Sequence, residues 1–471
     1  MTSDSDSQQN ARRGAVDAAD FAYDDDLLDG EPDPELELDS ELEPAEERNI
    51  SVKRRIRHFF RRHIRRRFRR FKRRILGKAK RYAKDLALGY LLPRRYRRCC
   101  EQHAVVAGRV VFFDAKEETM PSGFELICKR LEADPGKSIV HLYLRQNFVR
   151  FLKYYRNCYD ALEELAQAQV IYLDDASDLI SCLPLRPETR AVQLWHACGA
   201  FKKWGMSTAD KIFGGSRESL ERHPFYRNLS LVTVSSPEVV WAYAEAMDLQ
   251  GQEHLIQPLG TSRTDIFFDD AFLATARARL EEVFPPAAGK KVILYAPTFR
   301  GRVKKAKGPD ELDIHAMQQA LGDEYVLIIK HHPYVKKARS IPQECRGFAH
   351  KVQQSLTTEQ LLCAADICIS DYSSIVFEYS LFSRPMLFFA YDIADYDDWR
   401  GFYYSYEDFT PGPVVTTTEE VIECIRQFGQ HFDPAEVDAF RQKFMSACDG
   451  HATDRILAAS FPGGPAAAQG A

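Results

Sequence analysis

Five short polar clusters, each placed directly after an apolar run, carry the chemistry for which this sequence can be read. Ala191–Leu194 leads into Trp195-His196-Ala197-Cys198-Gly199-Ala200-Phe201-Lys202-Lys203, and Leu255–Leu259 leads into Gly260-Thr261-Ser262-Arg263-Thr264-Asp265. Ile293–Tyr295 is followed by Ala296-Pro297-Thr298-Phe299-Arg300, and Val326–Ile329 by Lys330-His331-His332-Pro333. Ile367–Ile369 is followed by Ser370-Asp371-Tyr372-Ser373-Ser374 and then by an apolar stretch carrying Glu378. Histidine titrates close to neutrality and can take a proton from a hydroxyl. Arginine, lysine and hydroxyl groups donate to phosphoryl oxygens. A helix beginning near Ser373 would offer unpaired N–H groups and the positive end of its dipole, an anion site for which a diphosphate is the natural guest. Glu378, about one turn further along, suits a partner with hydroxyl donors such as a ribose.

Each cluster taken alone has a plainer use. Ser373 and Ser374 can cap a helix, and Glu378 can be a solvated helix residue. Arg263 and Asp265 can form a surface pair worth about 0–1 kcal/mol. His331 reads as a bystander to His332, and Trp195 as packing. Five such clusters at five strand ends exceed what capping requires.

The elements that must position them alternate between strand and helix. Runs rich in Val, Ile, Leu and Phe at Val110–Phe113, Ile139–Leu144, Val170–Leu173, Ala191–Trp195, Leu231–Val234 and Leu255–Pro258 form one series. A second comprises Val292–Thr298, Tyr325–Lys330, Ile367–Ser370 and Met386–Ala390. Continuous apolar runs of this kind suit parallel strands buried on both faces. Two series imply an α/β chain with two doubly wound domains facing a cleft, and ligands of such sheets bind beyond the carboxyl ends of the strands. The join is expected near Thr261–Ala287, which divides the body into domains 99–270 and 271–462, with a disordered tail over 463–471.

The 471 residues carry a net charge of −4 that conceals strong segregation. Residues 1–47 hold 17 Asp/Glu against two Arg, and residues 53–98 hold 22 Lys/Arg against one Asp. Residues 1–50, acidic and poor in aromatics, are expected to be disordered. Residues 51–98 place Ile56, Phe59, Phe60, Ile64, Phe68, Phe71, Ile75 and Leu76 at helical spacing among Arg and Lys. The segment reads as a basic amphipathic helix lying on an anionic membrane surface. Nucleic acid would also be attracted by this charge but is not the expected partner, and the acidic tail could fold back to neutralise it. No run reaches the roughly 18–20 apolar residues that span a bilayer. The 11 cysteines include no CxxC pair and read as reduced thiols, and no metal site or cofactor is expected.

At these residues the sequence resembles the CDP-glycerol glycerophosphotransferases, the teichoic-acid primases and polymerases among them. The resemblance rests on Ser370-Asp371-Tyr372-Ser373-Ser374, Glu378-Tyr379, Arg384-Pro385, Phe388-Phe389-Ala390-Tyr391-Asp392 and Arg400-Gly401-Phe402-Tyr403. It extends to Trp195-His196 with Gly199 and Lys202-Lys203, to Gly260, Arg263 and Asp265, to Ala296–Arg300, to His332, and to Asp449-Gly450, Ala452 and Arg455. Members typically read W-H-G-T-P-L-K where this chain has Trp-His-Ala-Cys-Gly-Ala-Phe-Lys, so the histidine is kept and the loop after it differs.

The resemblance implies the two-Rossmann-domain GT-B architecture. It also implies transfer of glycerol phosphate from CDP-glycerol to a hydroxyl of a lipid-linked glycan or polyol-phosphate acceptor, with CMP released, at the cytoplasmic face of the membrane in cell-wall or capsule synthesis. His196 would be the general base and His332 would contact the diphosphate, although the two roles could be exchanged. Arg263, Thr298, Arg300, Lys330, Ser373, Ser374 and Glu378 would bind the donor. Trp195, Gly199, Lys202 and Lys203 would line the acceptor side of the cleft. Other readings are a CDP-ribitol phosphotransferase or nucleotide-sugar glycosyltransferase of the same fold, and a non-catalytic membrane-bound binding protein.

Overall fold

The structure is a computed structural model and describes residues 71, 75–211, 214–300, 308–309, 311–332, 335, 339–352, 355–393 and 401–461. The acidic tail, most of the basic segment before residue 75 and the stretch 463–471 lie outside the described residues.

Two six-stranded, all-parallel sheets form the body. The first contains β1 (Arg109–Asp114), β2 (Ser138–Tyr143), β3 (Val170–Leu173), β4 (Arg190–Gln193), β5 (Leu231–Thr233) and β6 (Ile256–Gln257), in the order β2-β1-β3-β4-β5-β6. The second contains β7 (Lys291–Tyr295), β8 (Tyr325–Ile329), β9 (Ala349–Lys351), β10 (Ile367–Ser370), β11 (Met386–Phe389) and β12 (Val414–Val415), in the order β12-β11-β10-β7-β8-β9. That second order is the one used by dinucleotide-binding doubly wound sheets. β9 and β12 are the strands the sequence did not announce. Both are short and lie at sheet edges, where few apolar side chains are needed.

The apolar runs fold as strands because both faces are covered. Val111 and Phe113 enter one core cluster, while Val110 and Phe112 enter another on the opposite face. Val292 and Leu294 are separated from Ile293 and Tyr295 in the same way. Each such side chain contributes roughly 1.5–3 kcal/mol on full burial, so sliding a strand by one residue would exchange its two buried faces.

Both sheets contain a point where the strand order reverses. In the first it lies between β1 and β3, in the second between β7 and β10. Crevices open beyond the carboxyl ends of strands at such points. The residues that follow β7 and β10 are Ala296–Arg300 and Asp371–Ser374, two of the five clusters.

Two domain boundaries differ from expectation. The basic segment does not end where the first domain begins, because Ala87, Leu88, Leu92, Tyr96 and Cys99 are buried in that domain's core with Tyr154, Cys158 and Leu162 of the helix Phe151–Gln167. Helix continues past Pro93 because the preceding turn, Ala87–Leu91, widens to π-type and the Leu92 N–H reaches back to the Ala87 carbonyl. At the other end, the helix Ala452–Ser460 returns to the first domain. Ile456 is buried with Val110, Phe124 and Val192, and Arg190 donates to the Ala459 carbonyl at 3.3 Å.

Candidate active site

β4 ends at a backbone position that bulky residues seldom adopt: Trp195 has φ of 60°. Its indole is held by stacking on Trp204 at 4.4 Å and lies 4.2 Å from the His196 ring, centroid to centroid. The packing role expected of Trp195 is therefore present, and its backbone also sets the turn that carries His196. His196 is 3% exposed, with Nδ1 3.3 Å from the Asp174 carbonyl oxygen. With Nδ1–H donating to that carbonyl, Nε2 becomes the basic nitrogen.

The loop after His196 is clasped to the second domain. Gly199 has φ of 63°, and a Cβ there would lie 2.2 Å from the Phe377 ring. Its N–H donates to Ser235 Oγ at 3.0 Å. Further along, the Lys203 N–H donates to the Gly401 carbonyl at 3.0 Å and the Tyr403 N–H to the Phe201 carbonyl at 2.8 Å. Lys202 pairs with Phe402 in this short antiparallel bridge and is buried, not displayed at the cleft mouth as expected. Lys203 stays half-buried, with Nζ 5.9 Å from the Tyr403 ring centroid. Gly199 is three residues from His196 and Phe377 three from Ser374, so their contact brings the histidine loop and the serine turn together.

At the switch point of the second sheet, Asp371 is a hub. Its carboxylate accepts from the Thr298 N–H and Oγ1, each at 2.9 Å, and faces Arg300 Nη1 at 2.9 Å. Arg300 also donates to Asp392 at 2.8 Å, while Tyr372 Oη donates to the same carboxylate at 3.0 Å. Thr298 and Arg300, expected on the donor, are thus turned inward to brace the loops that follow β7 and β10. Ser373 and Ser374 are half-buried, with some surface open. The helix behind them, Ile375–Tyr379, has only five residues, and Ser374 makes no side-chain cap. So short a helix carries little of the dipole the sequence reading invoked; the hydroxyls are what the turn offers an anion.

Glu378 is neither solvated nor open to a ribose. It is buried and forms an ion pair with Arg263 at 2.8 Å across the two domains, so each offsets the charge of the other. Burial works against the Arg263 charge, and Glu378 together with the other acidic groups near it outweighs burial, raising its pKa. Asp265 is not the partner of Arg263. Its two oxygens accept from the N–H groups of Ala452, at 3.0 Å, and Thr453, at 2.7 Å, capping the returning helix. On the remaining strand end, Lys330 donates to the Leu356 carbonyl at 3.4 Å, and burial lowers its pKa. The His332 ring lies 5.0 Å from that of Phe299, and His331 packs beside Gly308.

One group went unread in the sequence. Asp114 ends β1, and Asp174 and Asp175 follow β3, so three buried carboxyls meet at the switch point of the first sheet. Lys116 Nζ lies 2.8 Å from Asp175, and the N–H groups of Lys116 and Glu117 donate to Asp114, each at 2.7 Å. Asp174 packs against Gly123, where a Cβ would come within 2.3 Å of Oδ1. Burial, then the neighbouring Asp114, push the Asp174 carboxyl up to about 8, so it holds its proton near neutrality. A carboxylate closing each of the runs Arg109–Asp114 and Val170–Asp174 was the available signal. Among the described residues, no three His, Cys, Asp or Glu side chains are arranged to hold a metal ion.

The profile of the family described as CDP-glycerol:poly(glycerophosphate) glycerophosphotransferase matches residues 96–461. A teichoic acid ribitol-phosphate primase of Bacillus spizizenii is 34% identical over 352 residues, 74% of this chain and 89% of that protein. A teichoic acid poly(ribitol-phosphate) polymerase of the same organism is 34% identical over 355 residues, which cover 75% of this chain and 56% of the polymerase. A teichoic acid poly(glycerol phosphate) polymerase of Bacillus subtilis is 39% identical over 305 residues, 63% of this chain and 40% of that protein. This chain therefore corresponds to about half the length, or less, of those polymerases. In fold it is similar to the wall teichoic acid polymerase TagF, with a TM-score of 0.63 at 22% identity over 81% of this chain and 95% of that one.

Proposed function

We propose, from the premise that this chain belongs to the CDP-glycerol:poly(glycerophosphate) glycerophosphotransferase family, that it transfers a polyol phosphate from a CDP-polyol to an acceptor hydroxyl in teichoic acid synthesis. The observation that carries the reading is the contact of Gly199 with Phe377, which seats the His196 loop against the Ser373–Ser374 turn. In the proposed step His196 Nε2 takes the proton of the acceptor hydroxyl as its oxygen forms a bond to the polyol-bearing phosphorus. The bond from that phosphorus to the CMP oxygen breaks, and CMP leaves with the electron pair. Ser373, Ser374 and Lys330 donate to the phosphoryl oxygens, which gather charge as the bonds exchange. His332 serves the leaving phosphate. The two lobes and their shared crevice are assigned to the GT-B type.

The donor polyol is glycerol or ribitol. Ribitol is supported by the names of the two relatives that cover about three-quarters of this chain, and glycerol by the family description and the Bacillus subtilis polymerase. The deciding experiment offers the purified protein CDP-glycerol, CDP-ribitol and UDP-sugars and follows nucleotide release with and without acceptor. CMP from one CDP-polyol is expected, and UDP release alone would overturn the reading. In His196→Ala, CMP release should fall by at least about 10²-fold, the scale of a lost general base; an undiminished rate removes His196 from the mechanism.

The place of action is proposed to be the cytoplasmic membrane surface, where a lipid-linked acceptor would lie. Support comes from the exposed Phe71, Ile75, Leu76, Tyr82, Tyr90 and Leu91, which share their segment with Lys78, Lys80 and Arg81. No helix among the described residues is long and apolar enough to cross a membrane.

A further inference from the structure

Trp241 is unexplained by anything above. It lies in the first turn of the helix Val240–Met247, which follows β5, and is 45% exposed, although indoles are mostly well buried. It is nevertheless held in place. Nε1 donates to Tyr404 Oη at 3.2 Å, and the rings of Tyr403 and Tyr404 meet the indole edge-on with centroids 5.5 and 5.7 Å away. Tyr403 Oη donates to Ser207 Oγ at 2.7 Å, and Tyr404 Oη to Glu238 Oε1 at 3.2 Å. The result is an indole held in a fixed orientation with nearly half of its surface open to solvent.

Lysines flank the two tyrosines that hold it. Lys203 Nζ lies 5.9 Å from the Tyr403 centroid and Lys443 Nζ 5.5 Å from that of Tyr404. Lys211 packs against Gly401 in the adjoining clasp. Glu238, 3.7 Å from Lys443, offsets one of these charges. The helix that carries Trp241 also packs, through its buried side, against the loop of the candidate base. Tyr243, two residues beyond Trp241, donates its hydroxyl to the carbonyl of Ala197, the residue after His196, at 3.2 Å.

We infer that this patch is a subsite for the acceptor strand, taking the polyol carbons of a polyol-phosphate chain on the Trp241 face and its phosphates on the flanking lysines. The inference rests on the transferase reading and deepens it. The electron-rich face of an indole attracts the C–H groups of a polyhydroxylated carbon chain, and lysines supply point charges for phosphates spaced along it. The donor's cytosine is a poorer fit, because Trp241 belongs to the first domain while Ser373, Ser374 and Lys330 belong to the second.

The test uses the full chain and short poly(ribitol phosphate) and poly(glycerol phosphate) as probes. Trp195 and Trp204 are buried and, with Trp399, are kept in Trp241→Phe, so ligand-dependent quenching of indole emission that disappears in that variant reports this site. One of the polymers should quench saturably. Trp241→Ala should weaken its binding about tenfold, the scale of one lost stacking contact, while Trp241→Phe, which keeps an aromatic face, retains most of it. Lys443→Gln should flatten the log–log salt dependence of binding by about 0.7, as for one phosphate contact on a flexible polyanion. In turnover, Trp241→Ala should raise KM for the polymer and leave KM for the CDP-polyol where it was. Equal polymer affinity in wild type and Trp241→Ala overturns the inference, as does equally tight binding of inorganic polyphosphate that is indifferent to Trp241. If Trp241→Ala fails to fold, two other readouts decide: quenching that persists in Trp241→Phe, or a salt slope unchanged in Lys443→Gln, overturns the inference. CMP release from a CDP-polyol with polymer binding blind to Trp241 would sink the subsite and leave the transferase; polymer binding through Trp241 with no CDP-polyol turned over would do the reverse.

Discussion

Asp174 shows how far a side chain's surroundings outweigh its type. A carboxyl at the end of β3 would ordinarily be ionised at neutral pH, but burial and then Asp114 raise its pKa from 3.8 to about 8. The direction fixes the sign of the linkage. The folded protein binds this proton more tightly than the unfolded chain, so the stabilisation is complete below the unfolded value and is lost as pH rises through the folded one. Relative to Asp174→Asn, wild type should therefore lose stability between about pH 4 and 8, by up to about 1.4 kcal/mol per pH unit. Thermal melts of both proteins across that range check this, and parallel curves would refute the protonated carboxyl. The His196 ring leans on the Asp174 carbonyl and not on its carboxyl, so the variant keeps the contact that orients the base.

Among the elements, the helix that precedes β1 has two roles along its length. From Ala87 onward it is core, and Leu88, Leu92 and Tyr96 are buried. Earlier, Phe71, Ile75 and Leu76 are exposed. The division predicts different outcomes for two truncations. Removing residues 1–98 takes away those three core side chains, each worth roughly 1.5–3 kcal/mol, and should lower the midpoint of urea unfolding sharply. Removing residues 1–74 leaves the core whole and should leave that midpoint unchanged. The shorter truncation still deletes 14 of the 22 Lys and Arg of residues 53–98, and each cation near an anionic surface is worth about 1 kcal/mol. Co-sedimentation with anionic vesicles should then weaken sharply, and undiminished binding would refute a membrane role for residues 53–74.

At the scale of the whole molecule, the two parallel-sheet domains are tied together at several points. Gly199 meets Phe377, residues 201–203 bridge to residues 401–403, the helix Ala452–Ser460 crosses back, and Arg263 pairs with Glu378. The last tie is buried, which makes it expensive to break from one side only. Glu378→Gln would leave the Arg263 guanidinium buried opposite a neutral amide and should cost about 3–5 kcal/mol. Replacing both partners by leucine should recover much of that. Urea titrations of the single and double variants provide the measurement; a loss in Glu378→Gln under about 1 kcal/mol, the scale of an exposed pair, would show that the pair does not join the lobes.

The apolar runs and the polar clusters behind them were readable because strand burial is local in sequence: a run of Val, Ile, Leu and Phe has few places to go except between two covered faces. That was enough for two parallel sheets, for ten of their twelve strands and, through Trp195-His196 and Asp371–Ser374, for the family. Which polar group meets which was not readable, because each partner is chosen by a fold that joins residues from 60 to 200 positions apart. Glu378 suited a ribose until the fold placed Arg263 beside it, and Lys202 suited the cleft mouth until the clasp buried it. Asp114 and Asp174 sit sixty positions apart in the chain and become one acidic group only because β1 and β3 are neighbours in the sheet. Local hydrophobic pattern determines the elements; the electrostatics of the site are decided when the elements meet, since charge responds to distance and burial, and only the tertiary structure sets both.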